Sequence, residues 1–147
     1  MKQKILQHHQ LLLQDKIDVF RDMISGLTID AQNDAKGSAG DKHETALSMM
    51  HLEQEKLNYK LHEILQQKTI LDKIDPTTKH SKIALGSLVQ ANEMLLFVSA
   101  ALPKITIDDT TIIAVSPQSP LGSKLIGKEV GFEFEIGVTK YRIKDFF

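Results

Sequence analysis

Two heptad seams running toward each other along the first half of the chain constrain this fold more than any other feature. One carries Leu6, Gln10, Leu13, Ile17, Phe20, Ile24, Leu27 and Ala31 at alternating four- and three-residue spacing, which keeps side chains on one stripe of a helix. The other carries His43, Leu47, Met50, Gln54, Leu57, Leu61, Ile64, Lys68 and Leu71 in the same rhythm. Paired antiparallel about Gly37, the seams predict Leu27 against Leu47, Ile24 against Met50, Ile17 against Leu57 and Leu13 against Leu61. The expected unit is a long helical hairpin with residues 34–41 at its tip. Each arm, of about 28 residues at 1.5 Å per residue, would reach roughly 40 Å. Gln10, Gln54 and Lys68 interrupt the apolar stripe, and polar residues at such positions fix the register of a coiled coil.

A coiled hairpin contributes little globular core, so most burial must come from the second half of the 147 residues. A formal net charge of −1 argues against a general nucleic-acid binder, whose affinity rests on many basic side chains neutralising phosphates. A protein or a defined site is the expected partner. No cysteine is present, which excludes disulfides and thiolate chemistry and fits a reducing compartment. The run Leu11, Leu12, Leu13 that follows Lys2 and Lys4 is too short for a signal segment, and no stretch approaches a membrane span. The expected location is cytoplasmic, with no membrane partner.

The heptads stop at Ile74, and Asp75 and Pro76 follow, because the residue before a proline is pushed out of the helical region. The expected domains are a hairpin over residues 4–75 and a second domain over 79–147. In the latter the period changes to two: residues 83–89, 94–99, 104–107 and 111–115 are short and rich in β-branched side chains. Phe132, Phe134 and Ile136 alternate with Glu133 and Glu135. After Gly137, Tyr141 and Ile143 alternate with Lys140, Arg142 and Lys144, which predicts a half-buried hairpin with a basic row on the solvated face. Between these groups, Ser119 as cap, Pro120 at the first helical position and Gly127 past the end predict one short helix. The fold class is α+β: an antiparallel coiled-coil hairpin, then a small, mostly antiparallel sheet with one helix.

Six histidines invite a metal hypothesis, but the zinc-protease spacing fails after His43-Glu44 and His62-Glu63, where Leu47 and Gln66 occupy the second ligand position. Residues 37–40 follow a helix and lack the Gly-Lys-Ser/Thr ending of a phosphate loop. The tip retains two carboxylates. Asp41 and Glu44, three residues apart at a helix start, share one face and could share an oxygen-seeking cation such as Mg2+ if another molecule completed its shell. The same pair also reads as a capping box that satisfies the free amides of the first turn.

The tip Gly40-Asp41-Lys42-His43-Glu44-Thr45-Ala46 and the stretch from Ser119-Pro120-Leu121-Gly122-Ser123 through Lys124-Leu125-Ile126-Gly127-Lys128 to Gly131 resemble, in order, the bacterial Gre transcript-cleavage factors. The family's tip reads Gly-Asp-Leu-x-Glu-Asn-Ala, and its downstream stretch combines a capped helix, a glycine stop and a following strand. The resemblance implies a coiled coil inserted through the secondary channel of RNA polymerase and an FKBP-like domain gripping the channel rim. Asp41 and Glu44 fall on the two acids that help hold a Mg2+ and a water in the polymerase active centre, so that the polymerase cuts backtracked RNA near its 3′ end. Ser116, Ser119, Pro120 and Leu121 fall on the rim-binding surface. No cofactor of its own and no catalytic site of its own are implied, and the expected state is a monomer. Three positions depart from the pattern: Lys42 replaces an aliphatic residue, Thr45 an asparagine, and Phe132 the acid after the final glycine. Lys42 sets a positive charge beside the tip acids, which opposes cation capture. The readings carried forward are a cleavage-stimulating elongation factor, a polymerase-binding regulator without cleavage activity, and a structural adaptor whose tip acids only cap a helix.

Overall fold

The computed structural model describes the backbone of residues 1–37 and 40–147, and the side chains of 1–30 and 44–147. Helix α1 runs Lys2–Gly37 and helix α2 Gly40–Asp72. Neither contains proline, and at 36 and 33 residues each spans about 50 Å. The end of α2 tightens into three-residue turns, Lys73 N–H to the Ile70 carbonyl and Ile74 N–H to that of Leu71. The chain then turns at Asp75, whose carboxylate accepts from the Thr77 amide at 2.9 Å and its hydroxyl at 2.6 Å.

The chain divides into two compact units, Leu11–Lys68 and Met1–Gln10 with Thr69–Phe147. Within the first, the expected stripes are the buried ones: Leu13, Ile17 and Leu57 are nearly inaccessible, and Phe20, Ile24, Leu27, Met50 and Leu61 are half-buried. The register differs from expectation. Gln54 Nε2 donates to Thr28 Oγ1 at 2.8 Å, yet pairing about Gly37 sets Gln54 opposite Phe20. Thr28 lies eight residues further on, about 12 Å along the axis. Within the second unit, Gln10 Nε2 donates to Asp72 Oδ1 at 3.4 Å with the same offset. Side chains lean toward the start of their own helix and so account for part of the difference. The remainder is a shift of about one helical turn, which brings Ile17 to the level of Leu61. The cause lies at the tip: α1 continues to Gly37 and α2 resumes at Gly40, so the pivot falls beyond Gly37.

The second unit holds β1 (Leu88–Ala91), β2 (Met94–Val98), β3 (Ile105–Ile107), β4 (Thr110–Val115), α3 (Pro120–Leu125), β5 (Glu133–Ile136) and β6 (Thr139–Phe146). The sheet order is β3-β4-β2-β1-β6-β5. All neighbours are antiparallel except β2 and β4, which run parallel, with Leu95 opposite Ile112 and Val98 opposite Val115. Residues 83–87, expected as strand, form a turn closed by the Ser87 amide on the Ala84 carbonyl and tied to β2 by the Gly86 amide on the Val98 carbonyl. Gly86 has φ +90°, and a Cβ there would meet Ile74 at 2.9 Å. Ile83, Val89, Leu96, Val98, Leu125 and Ile143 form the core, and Leu121, Phe134 and Tyr141 pack against it. From the start of α1, Ile5, Leu6 and His9 are also buried.

Candidate functional site

The first candidate region is the start of α2. Helix α2 begins at Gly40, so Asp41 falls in its first turn, but the Asp41 side chain lies outside the described residues. Glu44 is exposed. The amino end of a helix carries a partial positive charge that favours ionised carboxylates there. Among the described residues no group of three or more His, Cys, Asp or Glu side chains could hold a metal ion. Two carboxylates alone fill only part of the oxygen shell of a divalent cation.

The second region is the start of α3, where four of the sequence-predicted residues come together. Ser119 caps the helix: its Oγ accepts from the Gly122 amide at 3.0 Å and donates to the Ser116 carbonyl at 2.7 Å. Ser116 Oγ donates to Gln118 Oε1 at 2.6 Å and accepts from the Gln118 amide at 3.2 Å. Both serines are thus engaged in building the turn. Pro120 is exposed, Leu121 half-buried and Gly122 buried. Gly122 stands in the stretch that carries the Gre resemblance but has no role assigned by its sequence, whereas a Cβ there would sit 1.9 Å from the Ser116 carbonyl oxygen. Its only local signal was a glycine two residues after a helix-starting proline.

The basic row of β6 is not a free cationic surface. Lys144 pairs with Glu93 at 2.9 Å, Lys140 with Glu135 at 3.7 Å and Arg142 with Glu133 at 3.9 Å. Glu93 is held below the ordinary carboxylate range, first by the Lys144 hydrogen bond and then by its charge. This local neutralisation removes the electrostatic basis for phosphate binding at that face. On the core side of the same hairpin, Phe134 stacks on Tyr141 with centroids 5.2 Å apart, and Lys128 lies 4.6 Å over Phe132.

Over 90 residues the sequence is 33% identical to the transcription elongation factor GreA of Alkaliphilus oremlandii (strain OhILAs), covering 57% of this chain and 55% of that protein. Over that stretch the chain is similar to a Gre-type elongation factor. The match spans about half the length of that curated relative. The solved structure of the transcription factor Gfh1 aligns over 91% of this chain and 90% of its own, at 18% identity and a TM-score of 0.34. No family model matches the chain. The two regions above are the ones on which the Gre resemblance rests. Among the described residues, no helix is long and apolar enough to cross a membrane.

Proposed function

We propose that this chain is a Gre-type transcription factor that inserts its hairpin into the secondary channel of RNA polymerase and stimulates the polymerase's own cleavage of backtracked RNA. The observation that carries the reading is the start of α2 at Gly40, immediately before Asp41 and four residues before an exposed Glu44, on arms of more than thirty residues each. In this reading Asp41 and Glu44 would hold a Mg2+ in the polymerase active centre, where a bound cation activates water for phosphodiester hydrolysis. The chain's own part is placement. Seam packing stiffens the arms, and carboxylates on a rigid element can be held to the small tolerance such a site needs. The α3 start, with Ser116 and Ser119 tied into one turn and Pro120 exposed beside them, is the surface assigned to the channel rim.

Lys42 favours a second reading, a regulator that occupies the channel without promoting cleavage, because its charge lowers the affinity of the tip for a cation. Incubation with a stalled polymerase complex separates the two. RNA that shortens with added protein supports the first. Binding without shortening at any Mg2+ concentration overturns it in favour of the second, and absence of binding overturns both.

A further inference from the structure

His9 is a fully buried histidine with neither ring nitrogen in a hydrogen bond. It lies on the stretch of α1 that belongs to the sheet-containing unit, where its ring stacks on Phe97 of β2 with centroids 6.3 Å apart and planes 17° from parallel. Ile5 and Leu6, in the preceding turn, and Phe97 itself are also buried. A neutral imidazole tolerates such an enclosure as a flat, mostly apolar ring. An imidazolium would bring in a charge and two N–H donors that need acceptors.

We propose that His9 is a proton-operated latch, holding the first three turns of α1 on the sheet while neutral and releasing them when its ring is protonated. The groups that act on the ring from the surrounding elements do little to accommodate a charge. From α1 there is His8, which opposes it; from β2 there is the uncharged Phe97 ring; from the segment after β2 there is the Pro103 carbonyl, which faces the ring without meeting hydrogen-bond geometry. Burial holds His9 below the ordinary histidine range by more than the Pro103 carbonyl raises it. A second histidine points the same way. His80 Nε2 is buried without a partner, and burial first, then the charge of Lys2 on α1, lower its proton affinity. Lys2 itself is tied down through Nζ to the Thr78 carbonyl at 2.9 Å and feels the Asp75 carboxylate.

The sign follows from linkage. The unfolded ring takes up a proton near pH 6.5 and the latched ring only at lower pH, so docking is at full strength above that value and weakens as pH falls below it. The proposal goes beyond the polymerase reading and does not depend on it. Hydrogen exchange of the α1 amides in the intact chain, corrected for intrinsic rates, tests it. Between about pH 8 and about pH 5.5, protection over residues 5–10 should fall by up to about tenfold, the limit for one ring whose unfolded form titrates near pH 6.5. His9→Phe, which keeps an aromatic ring against Phe97 but cannot titrate, should flatten that dependence, whereas His80→Gln should leave most of it. A flat profile in the unaltered chain, or one that survives His9→Phe, overturns the latch. If His9→Phe does not fold, ring-nitrogen NMR of the unaltered chain decides. A His9 ring still neutral at pH 6 supports the proposal, and one titrating at the ordinary histidine value in the folded state overturns it.

Discussion

Gln54 and Thr28 are joined across the hairpin by a 2.8 Å hydrogen bond between side chains eight residues out of step with a pairing about Gly37. This bond sets the first prediction. A cysteine pair at Ile17 and Leu61 should oxidise to a crosslink, while Leu13 with Leu61 should not, since about one turn separates their levels and disulfides tolerate little misplacement. Non-reducing electrophoresis of the two double variants reads the outcome.

The burial of the seam gives the second. Leu13 is inaccessible and its neighbour Leu11 is 68% exposed. Leu13→Ala should cost about 2–4 kcal/mol of unfolding free energy and Leu11→Ala less than about 0.5. Urea titrations followed by circular dichroism compare them directly.

At the start of α3, Gly122→Ala should be the more damaging change, by about 2–3 kcal/mol, because its methyl would collide with the Ser116 carbonyl, a backbone atom that cannot swing aside. Ser119→Ala should cost about 1 kcal/mol through the lost cap. Pro120→Ala should leave stability nearly unchanged and weaken polymerase binding, measured by titration of a labelled factor.

For the tip, Asp41→Asn combined with Glu44→Gln should abolish RNA shortening while leaving polymerase binding nearly intact, because the amides keep the shape and lose the charge. The fold should weaken by about 1 kcal/mol or less, since amide oxygens still accept capping bonds. Lys42→Leu should strengthen cleavage at low Mg2+ by removing a competing positive charge. Gel assays of RNA length across a Mg2+ series check both.

The seams were legible because Leu13, Ile17, Leu57 and Ile64 recur at a period that only a helix satisfies, and the Ser119–Pro120 start of α3 because capping chemistry is local. The register was not. A repeating apolar stripe fits itself almost equally well one turn along, and what breaks the tie is polar: Gln54 on Thr28, Gln10 on Asp72. The sequence reading gave those glutamines a register role without being able to name their partners. The parallel pairing of β2 with β4 was hidden for a related reason, since strand patterning records which face is buried and not which neighbour lies alongside. Residues 83–87 read as strand from their apolar content, but the left-handed Gly86 bends them into a turn. Of the tip acids, Glu44 was legible as an exposed residue near a helix start. His9 carried no pattern at all, being one of two adjacent histidines beside the seam.

The sheet-containing unit is discontinuous in sequence: its first ten residues are separated from the rest by the fifty-eight of the hairpin arms. Bringing such distant segments together would ordinarily carry the entropy cost of a long closed loop. An antiparallel hairpin holds the two ends of its arms side by side, and Gln10 and Asp72 are hydrogen-bonded there, so the arms, once paired, leave only a short loop to close. Pairing of the arms thus also shortens the loop that closes the discontinuous unit. Heptads removed in matched pairs from both arms would shorten the reach of the tip while leaving that closure intact.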